Sequence, residues 1–298
     1  MKGFKFKKID AFATVKSDGN PAGYIYLDSK ESITESEMQR IARELKGFVN
    51  EVGYINRESE TTFSLKYYSS EREVEFCGHA TIAIMYDIIK NTSNLINKKE
   101  ISIITNKGQL IVENHIPDKD SVFIMAPSPE FKISRIEKDE IASAMDIPPS
   151  NISDEYKISI VNAGLETLII PINSLKSILN INPDLDTLKD FCVKNAVDII
   201  EVFCNETYSK ECDFRTRVFA PTFGYLEDSA TGSGNSAFGY YLLKDNLWNG
   251  ESLTIEQNGI KDRYNVVQLK TKLGSDDSKR VLFGGGAITR IVGKYILT

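Results

Sequence analysis

Cysteine and histidine are scarce in this chain of 298 residues, which holds four of the first and two of the second. Cys77, Cys192, Cys204 and Cys212 form no CxxC pair and no zinc-type spacing, which excludes the common structural metal modules. An excess of positive charge is also missing. The formal net charge is −6, and lysines are interspersed with acids, so a phosphate-neutralising face and a nucleic-acid partner are not expected. No apolar run approaches the roughly 18 residues that a membrane span requires. The lysine-rich start MKGFKFKKIDAF meets Asp10 before any apolar region of signal-peptide length. Free thiols in a reducing cytoplasm are the expectation that follows, with no membrane contact. What remains is 41% hydrophobic and 26% charged residues, the composition of a soluble globular protein long enough for two cores.

Two stretches share one grammar. EFCGHATIAIMYDII, Glu75 to Ile89, runs from a glycine-containing turn into an apolar helix. EDSATGSGNSAFGYYLL, Glu227 to Leu243, does the same. IAIMYDII and SAFGYYLL are apolar almost all round, so each helix is expected to be enclosed rather than laid on a surface. The segments around them repeat as well. KISIVNAGLETLIIPI matches the strand, turn and strand of the N-terminus, and FRTRVFAPTFGYLEDSATGSG answers FSLKYYSSEREVEFCGHA. Glu201-Val202 answers Glu51-Val52 at 201 − 51 = 150 positions, and Gly232 answers Gly78 at 232 − 78 = 154. So long a period speaks against a solenoid and for two similar lobes. Pro127 and Pro129 mark the boundary. This gives an N-terminal lobe of residues 1–128, completed by a strand at 288–298, and a C-terminal lobe of residues 129–287.

Local signals fill in the first lobe. Residues 5–15 read as a strand, and SDGNPAG, Ser17 to Gly23, as a turn. ITESEMQRIARELK has a helical period; Thr34 with Glu37 is a capping-box start and Gly47 a stop. FVNEVGYINRE and FSLKYYSS read as strands, and ISIITNKGQLIVEN as a hairpin around Asn106-Lys107-Gly108.

The chemistry-bearing residues cluster at the helix starts. His79 follows Gly78, where the helix dipole lowers an imidazole pKa and keeps the ring neutral; alternatively it bonds a neighbouring backbone group. Ser233 holds the equivalent place after Gly232. Asp228 and Ser233 either contact a substrate or cap the helix. Backbone amides of these turns can hold an anion, and glycine lets a ligand approach them. Glu51 lies in the apolar strand FVNEVGYI. It either alternates outward to solvent or is partly buried, which raises a carboxylate pKa toward that of a working base. Glu201 is expected to be structural, and His115, in a polar hairpin region, to lie on the surface. Cys77 and His79 have a spacing that allows a nucleophile pair, but a small buried hydrophobe accounts for Cys77 better.

GNPA at Gly19–Ala22, the MQRIARE helix with Glu51 soon after it, FCGHAT at Phe76–Thr81 and EDSATGSG at Glu227–Gly234 occur in this order across nearly the whole chain. Together they resemble the PhzF-like phenazine-biosynthesis isomerases. The resemblance implies the α+β fold of the diaminopimelate epimerase type: two pseudo-symmetric lobes, each a mixed sheet or incomplete barrel curled around a central apolar helix. It implies an active site between the lobes, a small carboxylate-bearing unsaturated substrate, no metal and no organic cofactor, and a homodimer. The family's best-known reaction moves a hydrogen within a dihydro-hydroxyanthranilate. Glu51, His79, Asp228 and Ser233 are then the catalytic set, and Asn20, Gly78, Thr231 and Gly232 the substrate-binding residues. Two contexts depart from the phenazine-pathway enzymes: Asn50-Glu51-Val52 stands for Ser-Glu-Thr, and Glu227-Asp228-Ser229 for Glu-Asp-Pro. Related racemases use paired cysteines, but the counterpart of Cys77 here is Thr231, too weak an acid for that role. An amino-acid racemase, epimerase or dehydratase and a non-catalytic small-molecule binder are the alternative functions.

Overall fold

The computed structural model describes residues 2–28, 32–274 and 277–298. The chain divides into two compact units, Met1–Met125 with Gly284–Thr298, and Ala126–Phe283. Strands and helices are numbered along the chain, so the last strand, Ala287–Leu297, is β18.

The first unit contains β1 (Lys2–Ala11), β2 (Asn20–Tyr26), α1 (Glu35–Glu44), β3 (Glu51–Arg57), β4 (Thr62–Ser69) and β5 (Glu73–Val74). It continues with α2 (Gly78–Lys90), β6 (Glu100–Thr105), β7 (Gly108–Asn114), the short α3 (Ile116–Lys119) and β8 (Val122–Met125). The ladders run β18–β1–β2–β3–β4–β6–β7–β8, with parallel pairs at β2–β3 and β4–β6 and antiparallel pairs elsewhere. Both ends of this series, β18 and β8, pack against α2. The sheet is therefore curled around the helix, as the all-round apolar sequence predicts. Every residue of α2 from Ala80 to Ile89 is buried. Each large aliphatic side chain so enclosed contributes about 1.5–3 kcal/mol. The charged exception is Asp87, which accepts from Tyr24 Oη at 2.5 Å, Lys7 Nζ at 2.6 Å and Thr289 Oγ1 at 2.9 Å. One carboxylate thus ties β1, β2 and β18 to the helix. Helix α1 covers the outer face through Met38, Ile41 and Ala42 and begins with the expected capping box of Thr34 and Glu37.

The second unit contains β9 (Glu130–Lys132), α4 (Lys138–Ala144), β10 (Ser159–Asn162), β11 (Glu166–Pro171), α5 (Leu175–Leu179) and α6 (Leu185–Lys194). Next come β12 (Ile199–Cys204), β13 (Phe214–Phe219), β14 (Glu227–Asp228), α7 (Gly232–Lys244), β15 (Leu253–Gln257) and β16 (Asn265–Leu273). Strand β17 (Lys279–Gly285) leads back into the first unit. The series β10–β11–β12–β13–β15–β16 repeats the pairing pattern of β1–β2–β3–β4–β6–β7: antiparallel, parallel, antiparallel, parallel, antiparallel. Helix α7 packs against β10, β11, β12 and β16, with its residues from Gly234 to Leu242 buried. Helices α4 to α6 close the outer face over Leu168, Ile170, Ile200 and Val202. The fold is α+β, one mixed sheet around one central helix in each unit.

The structure corrects the expected turn over Ser17–Gly23. The turn ends at Gly19, whose φ of +65° needs glycine, and Asn20 already pairs with Ala11 as the first residue of β2. Among the described residues no helix is long and apolar enough to cross a membrane.

Candidate active site

Glu51 is the first residue of β3, opposite Ala22 and Ser69. Alternation along the strand sends Val52 and Tyr54 into the outer core under α1, so Glu51 and Gly53 face α2. Asn20 fixes where this strand begins. It is fully buried, and its Oδ1 accepts from Asn50 Nδ2 at 2.8 Å, while Asn50 N donates to Pro21 O.

His79, second residue of α2, is brought against this carboxylate. Its Nε2 lies 3.0 Å from Glu51 Oε2, with the two side chains only 11% and 19% exposed. The approach is a charge contact rather than a straight hydrogen bond. Oε2 is shielded from solvent and has no well-aligned donor among the described residues. That oxygen is held in a dry place against the His79 ring. The structure reverses the expectation of a neutral imidazole. Burial disfavours the charged ring, but the Cys77 sulfur and the Glu51 carboxylate outweigh burial and hold the His79 pKa well above its ordinary 6.5. A counter-charge at contact distance is stronger than a helix dipole acting within one turn.

The sign of the linkage follows. A histidine whose folded pKa is raised adds stability that is complete below the unfolded value of about 6.5 and is lost as pH rises through the folded value. His79→Gln is therefore expected to flatten the decline of unfolding free energy above about pH 6.5, measured by urea titrations at successive pH values.

Cys77 is the N-cap of α2 and makes no side-chain cap bond. Its Sγ is 3.5 Å from His79 Nδ1 and 3.9 Å from Nε2, beside the ring rather than in line with one nitrogen. Burial pushes the thiol pKa up, and the Glu51 charge adds to this. Cys77 is thus a packed thiol in contact with His79. Cys77→Ala is expected to keep the fold and reduce turnover by no more than about tenfold, the value of one weak hydrogen bond. A loss of several orders of magnitude in steady-state assays would assign the sulfur a chemical role. The ligand atoms of Glu51, Cys77 and His79 lie within 4.8 Å of one another. A zinc-class cation could bridge that span only after displacing the proton on the thiol.

The second unit presents the matching helix start. Thr231 is the N-cap of α7 and also makes no side-chain cap bond; its Oγ1 lies 3.1 Å from Ser233 Oγ, as Cys77 lies against His79. Buried amides hold this turn. Gln257 Oε1 accepts from Thr231 N at 3.0 Å and Asn235 Nδ2 at 2.6 Å, and Gln257 Nε2 donates to Asp228 O at 2.9 Å. Asn235 and Gln257 went unnoticed in the sequence; a lone amide inside each apolar element was the available signal. Asp228 sits in β14 beside Glu227, whose two oxygens accept from Arg217 Nη2 at 2.8 Å and Nε at 3.0 Å. Gly232 is explained by packing: a Cβ there would meet the Phe283 ring at 2.3 Å. His115 is about 29% exposed at its side chain and packs edge-on to Phe123.

The ladders also correct the repeat. Gly53, Tyr67 and Val74 lie in register across β3, β4 and β5, as Glu201, Val218 and Asp228 do across β12, β13 and β14. Val74 and Asp228 each stand four residues before the helix-start glycine. Glu201 therefore corresponds to Gly53, and the counterpart of Glu51 is Ile199. The structure brings Glu51 together with His79, and Thr231 with Ser233, each pair within its own unit.

A curled mixed sheet around an apolar helix, built twice, defines the epimerase-like α+β fold class, here with a carboxylate and an imidazole at one helix start. The comparisons carry this further. The family model described as phenazine biosynthesis-like protein matches residues 9–293. An uncharacterized isomerase of Clostridium acetobutylicum is 25% identical over 100% of this chain and 99% of its own length. The isomerase YfhB of Bacillus subtilis is 30% identical over 81% of this chain and 82% of its own. The crystal structure of a Bacillus anthracis phenazine biosynthesis protein of the PhzF family superposes with a TM-score of 0.88 at 23% identity, covering all of both chains. The chain belongs to the PhzF-like phenazine-biosynthesis family, and it is an isomerase.

Proposed function

We propose that this isomerase moves a proton within a small, carboxylate-bearing, unsaturated substrate by general acid–base catalysis, without a cofactor. The observation that carries the reading is the Glu51–His79 pair: a carboxylate oxygen with no aligned donor beside an imidazole held in its charged form. Glu51 takes a proton from a carbon next to a carbonyl or alkene. His79, as an imidazolium, donates a hydrogen bond to the oxygen where the enolate charge collects, and the carboxylic acid formed on Glu51 returns the proton at a second carbon. Neither step needs an electron carrier. Asn20 acts through Asn50 to fix the start of β3 and so the reach of Glu51.

The reading assigns carboxylate binding to the helix-start amides at Gly78 and Gly232 with Thr231, and substrate positioning to Asp228 and Ser233. Orphan first-turn N–H groups supply the physical basis. It includes a homodimer in the cytoplasm, the first part measured by light scattering. The missing second thiol at Thr231 weighs against a two-cysteine racemase.

The test is proton exchange. Dihydro-hydroxyanthranilate incubated with the protein in deuterium oxide is expected to gain deuterium at one ring carbon, followed by proton NMR, and Glu51→Gln to show none. Deuterium gain that is equal in wild type and Glu51→Gln would overturn the role of Glu51. Tight binding with no exchange in the wild type would favour the non-catalytic binder.

A further inference from the structure

Glu201 stands out in the core of the second unit. It is fully buried, and neither carboxylate oxygen has a hydrogen-bond partner among the described residues. A buried carboxyl without a partner is costly, and native cores keep such groups where they act. Packing does not call for it. At the corresponding site of the first unit stands Gly53, and Ile84 from α2 fills the space, its Cδ1 2.3 Å from where a Cβ on Gly53 would be. In the second unit the exchange is inverted. The strand supplies the long side chain and the helix supplies the glycine: a Cβ on Gly234 would lie 2.7 Å from Glu201 Oε2.

Gly234 is the third residue of α7, in the turn whose amides lack carbonyl partners within the helix. The unpartnered acid is therefore aimed into the same helix start that carries Thr231 and Ser233. Its surroundings carry no charge of their own. Ile169 of β11 and Val218 of β13 flank it in the sheet, Thr231 and Gly234 face it from α7, and Ile199 and Phe203 share its face of β12. The nearest titratable group on that sheet face is Asp228, one further strand away beyond Val218.

We propose that Glu201 is a positioning residue that tunes the start of α7 as an anion site: as a neutral acid it leaves the amides of Gly232 and Ser233 to a carboxylate ligand, and as a carboxylate it competes for them. Desolvation alone lifts its pKa well above the usual carboxylate range, so the neutral form is the resting one. The helix dipole favours the charged form and opposes this, but neither oxygen is bonded to an amide among the described residues. The site would then take carboxylates at neutral pH and release them at alkaline pH. This rests on reading the α7 start as a carboxylate cradle.

The experiment uses the full chain and benzoate as a plain carboxylate probe, with calorimetry from neutral to alkaline pH on wild type and Glu201→Gln. The wild-type Kd is expected to weaken by about tenfold per pH unit above the Glu201 ionisation, and the Kd of the variant to stay constant. In parallel, the infrared difference spectrum between the two proteins should show the carbonyl stretch of a protonated carboxylic acid at neutral pH. That band should vanish over the pH range in which binding weakens. Glu201→Met is a second neutral variant, with the same flat profile expected. A Kd with the same pH profile in wild type and variants, or no acid band at neutral pH, overturns the proposal while the cradle stands. Absence of benzoate binding at every pH overturns the cradle reading and this inference with it.

Discussion

Glu51→Gln is expected to lower turnover by about a thousandfold or more while the protein stays folded, since a positioned general base contributes about 10²–10⁴ in rate. The amide has nearly the volume of the carboxyl, and the strand ladder at Ala22 and Ser69 uses only backbone. What the change removes is the proton acceptor and the counter-charge at 3.0 Å from His79 Nε2. The second loss supplies an independent readout. Burial then acts on the ring without the Glu51 charge, so the His79 pKa should fall, visible as neutral imidazole signals in nitrogen NMR at pH values where the wild-type ring is charged. Glu51→Asp shortens the reach by one methylene and should retain the charged ring while losing most of the rate. A variant set in which Gln and Asp both keep wild-type turnover would remove Glu51 from the mechanism. One in which Gln loses turnover and the ring stays charged would show that Cys77, not Glu51, sets the state of His79.

The course of the backbone was readable from the sequence where local and global demands agree. The apolar surround of IAIMYDII can only be satisfied by enclosure, and the structure buries that helix from Ala80 to Ile89. Thr34 with Glu37 marked a helix start because the capping box is a local bargain between side chain and backbone. The pairing of His79 with Ser233 and of Cys77 with Thr231 also followed from counting along two helices. Counting failed in the strands. Equal letters at Glu51 and Glu201 suggested equivalence, but register is set by which face is buried, and a shift of two residues keeps the face while changing the partner. The charge state of His79 was not legible either. It depends on a carboxylate 28 positions earlier in the chain, and no local rule gives the distance between them. Gln257 and Asn235 stayed hidden for the same reason: they bond to each other across β15 and α7, elements apart in the sequence.

Arg215→Met is expected to cost about 3–5 kcal/mol of stability, measured by urea unfolding, because it strands a buried charge. Arg215 and Glu256 are both fully buried, with Nη1 and Oε2 3.0 Å apart. The pair is completed on both sides. Arg215 also donates to Asn258 O from Nη2 at 2.7 Å and from Nε at 3.1 Å, and to Ile260 O at 2.8 Å. Glu256 accepts from the amides of Tyr208 at 3.0 Å and Ser209 at 2.6 Å. The guanidinium therefore clamps the chain after β15, on the same strand whose last residue, Gln257, holds the Thr231 turn. Burial pulls the Arg215 pKa down, and the Glu256 carboxylate at 3.0 Å opposes this. The double variant Arg215→Met with Glu256→Leu should be less damaged than Arg215→Met alone, since no unpaired charge remains. It should still fall below wild type, because the carbonyls of Asn258 and Ile260 lose their donors, at about 1–3 kcal/mol for each one left buried and unmet. If the double variant is worse than either single one by the full sum, the ions are independent contributors and the clamp is not a unit. If Arg215→Met unfolds at the wild-type urea midpoint, the carboxylate has found solvent and the pair has no structural weight.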